Sequence, residues 1–199
     1  MNTRATHLAS ALAGLVAVVP ALAQDTTDGT DTFPFSAHLS GAQEVTPPAA
    51  PTTPSLGVVS TATGDFTMEV SQDLSSINFT LTAAITGATQ AHLHCGRAGE
   101  NGPVVAPLIE PVDAGVNATD STPLGEGTIT NEDLAATAEG CAALIGRPVR
   151  NVASLADAAL HGLIYANVHT VTNPEGEIRG QLISGGASTS TPPSGQARH

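Results

Sequence analysis

The chain has 199 residues, and 18 acidic residues against six arginines and no lysine give it a formal net charge of −12 at pH 7. Nucleic acid and anionic lipid surfaces are bound by cationic patches, so this charge balance excludes both as expected partners. The length suits one domain with a substantial hydrophobic core.

The chain begins with the features of a cleavable signal peptide, predicted over residues 1–23. Arg4 supplies positive charge, Leu8 to Val19 is apolar, and Ala21-Leu22-Ala23 fits the small-x-small cleavage rule. The apolar run of about 12 residues is shorter than the ~20 that a membrane helix needs. We therefore expect a secreted or periplasmic protein with no membrane span after cleavage.

Composition divides the remaining chain into a domain with polar ends. Residues 24–32 are predicted to be a flexible lead-in, and residues 185–199, rich in Gly, Ser, Thr and Pro, a disordered tail. The domain is predicted to span residues 33–184, with a Pro/Thr-rich loop from Thr46 to Ser55.

Alternation of apolar and polar residues predicts six strands, each with one buried and one solvated face. Residues 73–76 and 173–176 have the composition of hairpin turns. Capping patterns at Thr130 and Ser154 predict two short helices. These elements indicate an all-β fold, an antiparallel β-sandwich with short helices in its connecting loops. The apolar strand positions are Phe35, Ala37, Leu39; Phe66, Met68, Val70; Ile77, Phe79, Leu81, Ala83, Ile85; Ala91, Leu93; Ile164, Ala166, Val168; Ile178, Gly180, Leu182.

The pair His92-x-His94 is the first candidate for chemistry. Residues two apart on a strand point the same way, about 6.5–7 Å apart, so both imidazoles can reach one metal ion. If Leu93 is buried, both histidines face outward, as His169 does on the late strand. If these strands are neighbours, three histidines converge on a copper or zinc site with a position open to water. The alternative is a polar strand face whose histidines hydrogen-bond to loops.

Several nearby residues are candidates for supporting roles. Glu177 and Arg179 point outward from the last strand, either orienting His169 or forming a surface ion pair. The Gly-rich segment from Gly96 to Pro103 lacks the ending of a phosphate loop and is predicted to cover part of the histidine face. His38 and His161 are weaker candidates, as a surface residue and a helix C-terminal residue. No G-x-S-x-G motif occurs, so no catalytic residue is predicted.

The two cysteines, Cys95 and Cys141, are predicted to form a disulfide in an oxidising compartment. The bridge would close a loop of roughly 45 residues and contribute about 4 kcal/mol. Two free thiols, or Cys95 as a metal ligand next to His94, are the alternatives.

Three separated motifs carry a family resemblance that covers roughly residues 33–184. The set strongly resembles the CHRD domain, named after chordin and widespread in exported bacterial proteins. The motifs are FSAHLSGAQEVTPP from Phe35, AHLHCGRAGENGPVV from Ala91 and YANVHTVTNPEGEIRGQL from Tyr165.

This resemblance implies an immunoglobulin-like β-sandwich, distantly related to Cu/Zn superoxide dismutase. The dismutase HxH strand is similar to His92-Leu93-His94, and its later copper-ligating histidine has a counterpart in His169. The bridging histidine and the zinc-loop histidines and aspartate have no counterpart here, so full dismutase activity is not expected.

The favoured hypothesis is an exported binding module, with copper or zinc held by His92, His94 and His169. The alternative is an extracellular interaction or matrix module with structural histidines, whose partner is a protein or polysaccharide. A copper-dependent redox enzyme is the more distant third hypothesis.

Overall fold

The alternating segments form strands in the computed structural model, which describes residues 32–46 and 55–185. The predicted signal peptide, and most of the predicted lead-in, tail and Pro/Thr-rich loop, lie outside these residues. The strands are β1 (Thr32–Ser40), β2 (Val45–Thr46), β3 (Ser55–Leu56), β4 (Thr63–Ser71), β5 (Ser76–Cys95), β6 (Val104–Ile109), β7 (Val116–Ala118), β8 (Pro123–Thr130), β9 (Ile164–Thr170), β10 (Ile178–Gln181) and β11 (Ile183–Ser184).

All strand pairs are antiparallel, and the main sheet curves into a closed ring. The order runs β10-β9-β5-β4-β1, and β1 then pairs with β10 through Ser40 and Arg179. The eighteen hydrophobic residues predicted to face the core, which are the positions given above without Gly180, are all buried in one continuous cluster. The predicted all-β sandwich is confirmed, with barrel-like closure.

Strand β5 is longer than the sequence pattern predicts. The alternation indicates separate strands at 77–85 and 91–94, whereas one 20-residue strand covers both. Register shifts between Ile85 and Gln90 let its first part pair with β4 and β8 and its second part with β9 and β6. The strand thus carries His92 and His94 at its C-terminal end, beside β9.

The helices are short and lie in connections. They comprise 3-10 turns at Gly41–Gln43, Asn131–Asp133 and Ala136–Gly140, and the α-helices α1 (Cys141–Ile145) and α2 (Val152–Leu160). None of the helices among the described residues is long and apolar enough to cross a membrane.

The predicted capping box at Thr130 is present, but the cap predicted at Ser154 is wrong. Helix α2 begins after Asn151, whose side chain accepts a hydrogen bond from the Ser154 backbone. The Ser154 hydroxyl in turn accepts from the Asn151 backbone, so Ser154 is the third helical residue of a capping box.

Candidate metal centre

Strands β5 and β9 bring three histidines together on one face of the sheet. Leu93 is buried in the hydrophobic core, so His92 and His94 project from the opposite face. In the β5–β9 ladder, His92 pairs with Asn167, and Gln90 pairs with His169. The two strands are therefore neighbours, which is the condition that the sequence left open for the histidines to converge.

The three imidazoles form a compact group. The Nδ1 atom of His92 lies 3.4 Å from the Nε2 atom of His169. One ring nitrogen from each of His92, His94 and His169 lies within 4.8 Å of the others. A single ion placed among them can contact all three rings, which is the donor set suited to copper or zinc.

Two of the rings are oriented by backbone carbonyls. The Nδ1 atoms of His94 and His169 each lie 2.9 Å from a carbonyl oxygen, that of Gly102 and of Pro174 respectively. A carbonyl only accepts hydrogen bonds, so each Nδ1 carries the proton and each Nε2 keeps its lone pair. The buried Nε2 of His94 has no hydrogen-bond partner within the described part of the chain. An unpartnered lone pair of this kind fits a bound cation.

The site keeps its histidines neutral. Burial lowers the pKa of His92 and of His94 to about 4, and His169 adds to the effect at both rings. Burial also lowers the pKa of His169. Neutral imidazole is the form that binds metal, so little competition from protons remains at neutral pH.

A stack of side chains supports His94 from the side of β9. The rings of His94 and Tyr165 are parallel within 6°, with centroids 5.0 Å apart. The guanidinium carbon of Arg179 lies 3.4 Å from the Tyr165 centroid. Arg179 also donates hydrogen bonds to Asn101 Oδ1 (3.1 Å) and to the Arg97 carbonyl (2.9 Å). Arg179 therefore packs against the Tyr165 ring on which His94 stacks. Its two hydrogen bonds also hold the loop that contains Arg97 and Asn101.

Glu177 lies beside the turn that carries Pro174. Its carboxylate accepts hydrogen bonds from Ser60 Oγ (2.6 Å), Thr170 Oγ1 (2.6 Å) and Asn173 Nδ2 (3.0 Å). These contacts lower the pKa of Glu177 against the opposing effect of burial, which is the largest single influence. The Glu177 carboxylate therefore holds the turn in place, and the Pro174 carbonyl in that turn orients the His169 ring.

The polar face of β9 is covered, although the sequence predicts a wet face. Tyr165, Asn167 and His169 are 2 %, 3 % and 9 % exposed. The loop from Gly96 to Gly102 folds over Tyr165, whose hydroxyl accepts a hydrogen bond from the Gly102 backbone N–H (3.1 Å), while Glu44 contacts Asn167 and the Pro174 turn contacts His169. A Cβ at Gly102 would lie 1.7 Å from the Cys95 carbonyl oxygen, so only glycine fits this close approach.

A family model described as the CHRD domain matches residues 35–182. The chain belongs to the CHRD domain family. Comparison with curated proteins and with solved structures gives no match. The family supports a binding module, and the match covers both strands that carry the histidines.

One buried acid of this CHRD domain escaped the sequence analysis. Glu44 is 2 % exposed, and its Oε2 accepts a 2.5 Å hydrogen bond from Asn167 Nδ2. Burial raises the pKa of Glu44, while Val45, Arg179 and Asn167 oppose the shift. Glu44 stands in the first family motif, but no periodicity or spacing distinguishes it from a surface glutamate.

The predicted disulfide between Cys95 and Cys141 is confirmed, and both cysteines are fully buried. Cys95 is therefore not a free thiolate beside His94. The bridge is compatible with secretion of this CHRD domain into an oxidising compartment. His38 contacts Asp65 at the surface and His161 caps the end of α2, so neither joins the histidine group.

Proposed function

We propose that this CHRD domain is an exported module that binds one copper or zinc ion through His92, His94 and His169. The observation that carries the proposal is the convergence of three ring nitrogens within 4.8 Å of one another. The unpartnered, buried Nε2 of His94 supports it, because a buried polar atom without a partner is costly unless something binds it.

The supporting residues have the arrangement that metal-binding histidines need. Backbone carbonyls fix two tautomers, and a hydrogen-bonded non-ligand nitrogen orients the ring and raises its basicity. The acidic charge of the whole chain attracts cations toward the site. Glu177 acts on His169 through the Pro174 turn, and Arg179 acts on His94 through Tyr165.

The test is a titration of the protein with Cu(II) and Zn(II), together with its metal content after purification. We expect about one ion per chain in the wild type, and loss of that ion in a folded His92→Ala/His94→Ala variant. His38→Ala is the matched control, because it removes an exposed histidine outside the group. Equal, weak binding by all three proteins would overturn the proposal.

That negative result would favour the alternative, a protein- or polysaccharide-interaction module with structural histidines. The observation behind this alternative is that His94 and His169 each hydrogen-bond to a loop carbonyl. In that case the histidine variants should lower stability and leave metal content unchanged.

A further inference from the structure

We propose that the three-histidine site selects monovalent copper over zinc and divalent copper, and that Arg179 sets this preference. The inference rests on the proposed metal-binding function and specifies its ligand. It follows from the charges around the site and from the charge and number of the three donors.

The ligand set contributes no negative charge. Its members are three neutral imidazoles. The thiol of Cys95, the residue after His94, is consumed in the disulfide. The Glu44 carboxylate accepts hydrogen bonds from Asn167 and Val45, and that of Glu177 from three other side chains. A divalent ion bound here would therefore keep its full charge in a covered site, which costs more than a single charge.

Arg179 adds a fixed positive charge on the same side. Its side chain is 1 % exposed, and none of the ion pairs formed by the described residues includes it. It lies 3.4 Å from the centroid of Tyr165, whose ring stacks on His94. The repulsion between Arg179 and a bound ion is proportional to the ion's charge, so it opposes a divalent ion twice as strongly.

Burial of the site also favours a monovalent ion over a divalent one. His94 and His169 are each 9 % exposed, and their rings contact the carbonyls of two different loops, Gly102 and Pro174 respectively. Zinc almost always completes four ligands, and a protein that supplies three must add water or another donor. Monovalent copper accepts fewer ligands and needs no such addition.

Competition titrations against chelators of known affinity test the preference, with Cu(I) handled anaerobically. We expect the wild type to bind Cu(I) more tightly than Zn(II) or Cu(II). Arg179→Gln should lower the ratio of Cu(I) to Cu(II) affinity by about tenfold, which corresponds to about 1.4 kcal/mol of repulsion on the ion's second unit of charge. Arg97→Gln is the matched control, because it removes a half-exposed arginine of the covering loop.

A second variant, expected to change the affinity ratio in the opposite direction, keeps the proposal testable if Arg179→Gln does not fold. Glu44→Gln removes a buried carboxylate whose negative charge acts on Arg179. Once the Asn167 side-chain amide turns over, its Oδ1, which has no partner within the described residues, can accept a hydrogen bond from the new amide. This variant should raise the ratio of Cu(I) to Cu(II) affinity.

Binding of no ion at all would refute the proposed function. Tighter binding of Zn(II) or Cu(II), or an unchanged ratio in both folded variants, would refute only this inference.

Discussion

Tyr165 lies flat against His94, with ring centroids 5.0 Å apart and ring planes 6° from parallel. Tyr165 is the one tyrosine of the chain, and the chain has no tryptophan. The intrinsic fluorescence of the protein therefore comes from a phenol in direct contact with a candidate metal ligand.

We expect one equivalent of Cu(II) to quench most of the tyrosine emission, because a redox-active open-shell ion beside the stacked ring gives the excited state a fast route of decay. Zn(II) has a filled d shell and no redox chemistry, so it should bind without comparable quenching. Fluorescence titration measures both. In the His92→Ala/His94→Ala variant, quenching should need a large excess of Cu(II); an unchanged titration curve there would place the quenching ion elsewhere.

The depressed histidine pKa values predict an unusually acid-tolerant site. With the pKa of His92 and His94 at about 4, the rings stay neutral to about pH 5, so we expect metal binding to persist there and to fail toward pH 4. At a site of ordinary histidines, with pKa values near 6.5, the metal affinity would begin to fall about two pH units higher. Equilibrium dialysis across this range distinguishes the two.

The same shifts make the metal-free protein sensitive to acid. In the unfolded chain these histidines take up protons near pH 6.5, whereas the folded protein resists protonation until about pH 4. Stability is therefore lost as the pH falls from about 6.5 to 4. Thermal denaturation of the metal-free protein should show this decline. His92→Ala should flatten it, and a profile with the same slope in both proteins would contradict the assignment.

Removing the disulfide should affect stability far more than the metal site. The bridge joins residues 46 apart in sequence, so Cys95→Ala/Cys141→Ala should lower the free energy of unfolding by about 4 kcal/mol. Cys95 belongs to the hydrophobic core and His94 to the opposite face of the strand, so metal affinity should change less than about tenfold. Denaturant unfolding and the Cu(I) competition measure the two effects. Loss of metal from a folded variant would show that the bridge shapes the site.

Gly176 should be sensitive to the smallest substitution. Its φ is +129°, and a Cβ there would lie 2.6 Å from Asn167 Nδ2 and 2.7 Å from Glu44 Oε2. We expect Gly176→Ala to cost about 1–3 kcal/mol from backbone strain, with the clash in addition. Gly162→Ala is the control, because Gly162 also has a positive φ, of +66°, but open space around its Cβ position. Equal destabilisation in denaturant unfolding would mean that contact with the Glu44–Asn167 pair is unimportant.

The sequence predicted the parts of this fold that depend on local periodicity. Leu93 in the core and His92 and His94 on the other face follow from alternation alone, since the strand period of two leaves no other choice once one residue is placed. Pairing of β5 with β9 was a conjecture from the sequence, because strand adjacency depends on contacts between residues 69 to 82 positions apart.

Coverage of the histidine face could not be predicted from periodicity. Alternation separates the core face of a strand from its other face. It does not show whether loops or water lie against that other face. The buried Glu44 and the carbonyl partners of His94 and His169 arise from loop conformation, and the contact of Arg179 with Tyr165 depends on the pairing of β10 with β9. The uninterrupted β5 was missed because Gly87 and the residues around it break the pattern where the strand shifts register.

The closed ring of strands is joined by many residue pairs on one side of β1 and by few on the other. Strand β1 pairs with β4 along its whole length, from Thr32 to Ser40, but on its other side it meets β11 at Phe35 and Ser36 and β10 at Ser40. Separation of neighbouring strands begins where the fewest rungs join them. The last rung belongs to Arg179, the residue that anchors the covering loop over the histidines. If strands part first at this weakly paired edge, the contacts of Arg179 with Asn101 and Arg97 are the first links of the covering loop to loosen, and we expect exchange of any bound ion to need this local opening and not global unfolding.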